Sequence, residues 1–254
     1  MKRSLAKELM DLPGNPPHVL EEDLRNLRTL NRYLGGYRTV LWGLERLLER
    51  KRSGNFSLLD AGTGGGDLPH AIVAWSRQRG LTVRVAAIEP NPLTVALARR
   101  QTLACPEIFV VRGDGFHPPF PPSSFDFVLT SQVLHHFAEE EIIELLRCWS
   151  GLARCALLVS DLIRHPLAYW GVFFLTRLFT HNPMTRTDAP LSVRRAFTMA
   201  EWRELFQRAG IGPFRLFPFF PFRFLAVFPR EECSERARLK AADAGACRFR
   251  QALP

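Results

Sequence analysis

Three glycines spaced two apart, Gly62, Gly64 and Gly66, stand between two acids, Asp60 and Asp67, in the segment LLDAGTGGGDLP. The apolar run before them reads as a strand and the segment after them as a helix, so the glycines form a tight connecting loop. Glycine lets a backbone turn sharply and approach a ligand with no Cβ in the way. The free N–H groups of the following helix start add donors. Such a loop holds part of a nucleotide-like ligand at the carboxyl edge of a doubly wound sheet. A Walker phosphate loop needs Gly-Lys-Ser/Thr, and no such lysine follows. A dinucleotide fingerprint needs Gly or Ala three residues beyond the second glycine, where Asp67 stands, and an acid suits a pyrophosphate badly. A cationic ligand has the opposite preference: the sulfonium and ammonium of S-adenosylmethionine would be drawn to a carboxylate at Asp60 or Asp67. Two acids further on fit that ligand. IEPNP puts Glu89 at the end of the next strand, placed to accept both ribose hydroxyls. GDGF puts Asp114 after a third strand, placed to accept from an adenine amino group.

With these residues in order, the sequence resembles class I S-adenosylmethionine-dependent methyltransferases. LLDAGTGGG, AAIEPNP, RGDGFHPPF and FDFVLTSQVLHHF look like that family's successive cofactor motifs, and SVRRAFTMAEWRELFQRAGI like the helix before its closing strand pair. The match runs from about Phe56 to Phe228. The resemblance implies an α/β, Rossmann-like, doubly wound seven-stranded sheet, mostly parallel with one antiparallel strand, preceded here by N-terminal helices. It implies that Asp60, Gly62 and Gly64 form the methionine-side loop, Glu89 the ribose contact and Asp114 with Gly115 the adenine contact. Thr63, Gly66, Pro90 and Ser131 complete the implied cofactor set. Within the family the chain looks closest to small-molecule enzymes of the ubiquinone or polyketide tailoring kind. NLRTLNRYLGGYR resembles proteins associated with phenolic lipid pathways.

Methyl transfer from a sulfonium is an in-line displacement, so the protein must mainly position the nucleophile and exclude water. A phenol, with a pKa of about 10, needs a base or electrostatic help. His135 and His136 follow the fourth strand, where the cleft opens, and either is a candidate base. Asp161 and His165, after the fifth strand, are further candidates. The stretch LTSQVLHH supplies no cluster of acidic ligands, so no metal is expected, and it lacks the Pro-Pro-aromatic motif of enzymes that methylate DNA bases. The expected reaction is O-methylation of a small hydrophobic phenolic, polyketide or quinone-type acceptor. C-methylation of a quinone precursor is the alternative. An RNA methyltransferase or RNA-binding protein is a second one, prompted by the charge. A methyltransferase fold without transferase activity, partnering another enzyme, is a third.

The elements that must position these residues are legible in outline. The 254 residues are 46% hydrophobic and 23% charged, as in a globular protein, and 34 basic against 25 acidic residues give a net charge of +9. That charge suits anionic partners, but acids are interleaved with it, so nucleic acid is not the expected partner. Cys105, Cys148, Cys155, Cys233 and Cys247 show no paired spacing, so reduced thiols are expected. The N-terminus has no apolar signal-peptide core, and Ala168–Thr176 is about half the length of a membrane span. A cytoplasmic protein, with peripheral membrane contact as an option, is the expectation; the sequence does not specify an oligomeric state. Residues 1–54 read as a helical extension capping the substrate, with helices over 20–50 broken at Gly35-Gly36. Residues 55–229 read as the methyltransferase domain, with strands at 56–60, 81–89, 107–111, 125–130 and 155–161 alternating with helices. An aromatic insertion spans 162–195. Its Tyr169, Trp170, Phe173 and Phe174 are candidate walls of an acceptor pocket, or a membrane-facing surface with Arg164, Arg177 and the Arg-rich 223–254 segment. Residues 180–195 read as irregular. Thr198 and Glu201 make a capping box, Gly210 closes that helix, and 213–228 form a hairpin-like pair at a sheet edge. Residues 230–254 read as a loose basic tail.

Overall fold

The computed structural model describes residues 1–49 and 54–230; the basic tail, with Cys233 and Cys247, lies outside them. Seven strands form one sheet: β1 (Asn55–Ala61), β2 (Thr82–Glu89), β3 (Ile108–Arg112), β4 (Phe125–Ser131), β5 (Ala153–Leu162), β6 (Arg215–Phe219) and β7 (Arg223–Pro229), in the order β3-β2-β1-β4-β5-β7-β6. β7 runs antiparallel to both of its neighbours, and the other pairings are parallel. Pro218 sits in β6, the edge strand, where its missing N–H costs least. The strand order reverses between β1 and β4, so a crevice opens at their carboxyl ends.

Among the described residues eight α-helices accompany the sheet: α1 (Pro17–Tyr33), α2 (Gly36–Leu48), α3 (Asp67–Gln78), α4 (Pro92–Thr102), α5 (Glu139–Leu152), α6 (Pro166–Phe179), α7 (Pro183–Arg195) and α8 (Met199–Ala209). Their starts follow from local chemistry. The Asn91 side chain accepts from the Leu93 and Thr94 N–H groups ahead of Pro92, and Thr198 and Glu201 exchange hydrogen bonds as a capping box. Gly210 closes α8 at φ +63°. On α5, Ile142, Leu145, Leu146 and Trp149 recur at helical spacing and are buried. With Trp202 and Phe206 of α8 they pack one face of the sheet. Val40 and Leu44 of α2 and Ile72 of α3 cover the other.

Three expectations are corrected. Residues 180–195 contain α7, not an irregular run: Asn182 caps it, Pro183 occupies its first position, and Pro190 inside it hides its periodicity. Arg164 and Arg223 are buried: Arg164 pairs with Glu201 at 2.6 Å and Arg223 donates to the Leu34 carbonyl at 2.8 Å. They are not surface cations. Cys105 and Cys148 are free thiols, but Cys155 is disulfide-bonded. Pairing depends on distance in the fold, which sequence spacing does not fix.

The N-terminal residues dock onto α7 largely through polar groups. Leu9 and Met10 N–H donate to Asp188, Asn182 donates to the Val19 carbonyl, and the Thr185 hydroxyl donates to Asp23 Oδ1 at 2.6 Å. Asp23 is fully buried and its Oδ2 has no hydrogen-bond partner. Burial pushes its carboxyl up to about 7, against the Thr185 hydroxyl, with Asp188 and Glu8 adding repulsion. A carboxyl raised on folding contributes stability fully below its unfolded value, about 4, and that contribution is lost as the pH climbs to the folded value. Asp188 and Asp60, both also raised, slope the same way. Asp23→Asn should therefore show a smaller drop in urea-unfolding stability between about pH 5 and about pH 8, by on the order of 1 kcal/mol. An unchanged drop would place the buried charge elsewhere.

Candidate active site

The glycine loop leaves β1 at its carboxyl end and is tied to β2 by Gly62 and Thr63 N–H bonds to the Ile88 carbonyl at 3.0 and 3.1 Å. Gly62, Gly64 and Gly66 have φ of +77°, +54° and +75°, a region L side chains rarely adopt. A Cβ on Gly62 would lie 2.5 Å from Val133 Cγ2, whereas Gly64 faces open space. Gly66 does not line the cleft, contrary to expectation. A Cβ there would meet Thr102 at 3.0 Å, so this glycine serves to seat the loop on α4.

The cleft beyond the loop has a volume of about 350 Å³. Asp60, Gly62, Thr63, Gly64, Glu89, Pro90, Asp114, Gly115 and Ser131 all line it, as does Asp67. Glu89 is fixed by two backbone donors: Gly64 N–H to Oε2 at 3.2 Å and Asn91 N–H to Oε1 at 3.1 Å. Tyr37 from α2 donates its hydroxyl to Asp67 at 2.7 Å. Burial pushes the Asp60 carboxyl up to about 7, with Asp67 and Glu89 adding repulsion, and burial also raises Glu89. This part of the cleft is therefore short of positive charge. Asp114 differs: it accepts from the Phe116 N–H at 3.0 Å and lies 3.1 Å from His117 Nδ1, and these partners hold its carboxyl low. Those are the bonds of a turn residue at the cleft wall.

The other half of the cleft is built on a short 3-10 turn, Leu134–His136, after β4. His135 Nδ1 lies 2.7 Å from Asp161 Oδ1 at the end of β5, and His136 Nδ1 lies 2.8 Å from Asp11 Oδ2. The two imidazoles tilt toward each other with centroids 4.4 Å apart. Glu8 faces both, at 3.7 Å from His135 Nε2 and 3.8 Å from His136 Nε2, while Ser192 donates to it at 2.9 Å. Arg195 crosses behind, bonded to the carbonyls of Ala6 and His136 at 2.6 and 2.7 Å, with its Nε 3.8 Å from Glu8. Burial pulls the His135 pKa down, but Asp161 and Glu8 outweigh it and lift it to about 9. Burial would raise Glu8, but the two histidines hold it low.

Glu8, Asp11 and Arg195 are functional candidates that sequence reasoning missed. Glu8 and Asp11 lie in an N-terminal stretch with no motif, and only folding brings them to the histidines. Asp161, a lesser candidate in the sequence, is the partner of His135. His165 instead caps α6 and stacks on Phe222, away from the cleft. The aromatics of the insertion do not wall the cleft: Tyr169, Trp170, Phe173 and Phe174 lie on α6 outside it, and Ser192 is the insertion residue that reaches it. Apolar lining comes from Met10, Leu24, Leu27, Phe116, Val133 and Phe137.

A seven-stranded sheet with this order and an acid-lined glycine loop at its switch point defines the class I methyltransferase architecture. The model of a methyltransferase domain family matches residues 59–155. A search of curated protein sequences finds no match. Among solved structures, a SAM-dependent methyltransferase from Aquifex aeolicus superimposes with a TM-score of 0.58 at 18% identity, over 84% of this chain and 98% of that one. Human N-acetylserotonin methyltransferase in complex with SAM gives 0.58 at 18% identity, over 85% of this chain and 56% of that one. The CMeT domain of the citrinin polyketide synthase gives 0.55 at 16% identity, over 72% of this chain and 49% of that one. Residues 59–155 carry a methyltransferase domain, and that domain together with the shared fold supports an S-adenosylmethionine-dependent enzyme with that molecule as cofactor.

The residues present fit that cofactor. Gly64 leaves open space where a side chain would intrude, and Asp60, Asp67 and Glu89 offer carboxylates to a cation and to hydroxyl donors. Gly64→Arg should abolish S-adenosylmethionine binding in calorimetry while leaving the melting temperature within a few degrees. Glu89→Ala should weaken binding at least tenfold, about 1.4 kcal/mol. Wild-type affinity in both variants would move the cofactor out of this loop.

Proposed function

We propose that the enzyme methylates a small hydrophobic acceptor, at a phenolic oxygen of a polyketide- or quinone-type compound. A ring carbon activated by the same deprotonation is the alternative. One observation carries this reading: the cleft runs from an acid-lined glycine loop to the His135–His136–Glu8 cluster, and among the described residues no lysine or arginine lines it. A polyanionic backbone would meet carboxylates there, so the RNA alternative loses its support despite the net charge. The methyltransferase neighbours lend the fold but not the acceptor.

S-adenosylmethionine supplies an activated methyl group when bound, and Asp60, Glu89 and the Gly62–Gly64 backbone would hold it. The chain's own residues then have three tasks. Met10, Leu24, Leu27 and Phe137 orient the acceptor ring and exclude water. Both histidines line the cavity, and His136, at 19% exposure, is the more open of the pair, whereas His135 is 2% exposed. The acceptor hydroxyl donates toward His136 and Glu8. His135, braced by Asp161, places positive charge beside the developing phenolate, and the cluster takes up the proton as a unit.

His136→Ala and His135→Ala should each lower kcat by about 10²–10⁴ with an acceptor from a phenolic and quinone-precursor panel. Cofactor affinity by calorimetry should be unchanged. Equal loss of cofactor binding and turnover would make the histidines structural.

The same proposal includes peripheral membrane contact, supported by α6. Its outward face presents Leu167, Trp170, Phe174 and Leu178, all exposed, with Arg177 on the flank and no acid anywhere on the helix. Among the described residues no helix is long and apolar enough to cross a membrane. Sedimentation with anionic lipid vesicles should pull down the protein, and Trp170→Asp with Phe174→Asp should release it. Equal sedimentation of the double variant would remove this face from consideration.

A further inference from the structure

We propose that Glu8, His135 and His136 form a binding site for one divalent transition-metal ion, with zinc as the best-matched ion. The proposal goes beyond methyl transfer and does not depend on the identity of the acceptor. Sequence reasoning expected no metal because LTSQVLHH supplies no cluster of acidic ligands. The fold supplies that acid from the N-terminal stretch.

Four features support the site. First, Glu8, His135 and His136 each turn one ligand atom toward a common point, the three within 4.8 Å of one another. Donors about 2.0–2.1 Å from a tetrahedral zinc stand about 3.4 Å apart. Glu8 Oε1 lies 3.7 Å from His135 Nε2 and Glu8 Oε2 lies 3.8 Å from His136 Nε2, so small side-chain rotations would bring the three groups to that spacing.

Second, His135 Nε2 is buried with no hydrogen-bond partner and is aimed into this space. At 3.7 Å, Glu8 is beyond hydrogen-bond distance. A buried nitrogen left unmatched costs free energy that a coordinated ion would recover.

Third, each histidine turns its other nitrogen, Nδ1, onto a carboxylate: Asp161 at 2.7 Å for His135 and Asp11 at 2.8 Å for His136. That carboxylate–imidazole arrangement fixes the tautomer with Nδ1 protonated and Nε2 free to ligate, as in established zinc sites. Both histidines have it.

Fourth, the donor set matches such an ion. Two imidazoles and one carboxylate are a donor set for zinc or its first-row neighbours; magnesium and calcium prefer oxygen alone. Three protein ligands leave a coordination position toward the cavity, where an acceptor oxygen could bind. Ligation needs both Nε2 atoms free of protons, so protons and metal compete for the site.

The test uses the untagged full chain, stripped with chelator and then dialysed. Zinc titration by calorimetry should give one equivalent per chain, and cobalt(II) should develop visible absorption bands of a low-coordinate site. Glu8→Gln and His136→Gln, which keep side-chain shape, should each weaken zinc binding at least tenfold. His117→Gln, at an exposed histidine away from the cluster, should leave it unchanged. S-adenosylmethionine affinity is measured on the same samples. Retained cofactor binding with lost zinc binding in Glu8→Gln and His136→Gln supports the site and shows the variants to be folded. Substoichiometric zinc, or zinc binding that both variants retain, overturns it. Because cofactor binding is read separately, that failure leaves the methyltransferase assignment standing.

Discussion

Six carboxylates, from Glu8, Asp11, Asp60, Asp67, Glu89 and Asp114, converge on one cleft, and the rest of the structure is arranged around the cost of holding them there. Negative charges gathered in a partly desolvated space repel one another and resist ionisation. The two halves of the cleft answer that cost differently. On the glycine-loop side, Glu89 has two backbone donors, no lysine or arginine among the described residues lines the cleft, and burial raises the carboxyls of both Asp60 and Glu89. On the opposite side, histidines supply the counter-charge and hold Glu8 and Asp11 low. One half is left waiting for a cationic ligand; the other is already neutralised and able to trade a proton.

That division follows from topology. The strand order reverses between β1 and β4, so β1 delivers the glycine loop and β4 the histidine turn to opposite sides of one crevice. Gly62 is where they touch: its missing side chain makes room for Val133, the residue just before the histidine turn. β5, the next strand, carries Asp161 near its carboxyl end and so braces His135. Three consecutive positions in the sheet thus place the loop, the turn and the brace without any of them being close in sequence.

The N-terminal residues complete the site, and they are held by polar contacts more than by apolar packing. Ser4 N–H donates to the Arg194 carbonyl, Arg3 to the Arg195 and Phe137 carbonyls, and Arg195 to the Ala6 carbonyl. Such a buried polar network tolerates few alternative arrangements, because any slip leaves charged groups unmatched. It positions Glu8 and Asp11 more sharply than an apolar contact could.

Much of this protein was legible in its residues, because local rules govern local features. The glycines after a strand, the Asn91-Pro92 helix start, the Thr198–Glu201 box and the acids at successive strand ends are each set by backbone sterics and hydrogen bonding within a few residues. Where local rules fell silent the reading went astray: Pro190 masked α7, and the aromatics of α6 suggested a pocket wall although the helix turns them outward. Gly66 shares the loop's spacing with Gly62 and Gly64, yet it faces α4. The spacing is a property of the chain, whereas the direction each residue faces belongs to the packed loop. The same holds for the histidine pair. The sequence by itself determined the cofactor loop, the strand-end acids and the presence of His135 and His136. Only the tertiary structure decided that Asp161, Asp11 and Glu8 surround them, because those contacts join segments far apart in the chain through burial and charge, which have no signature in spacing.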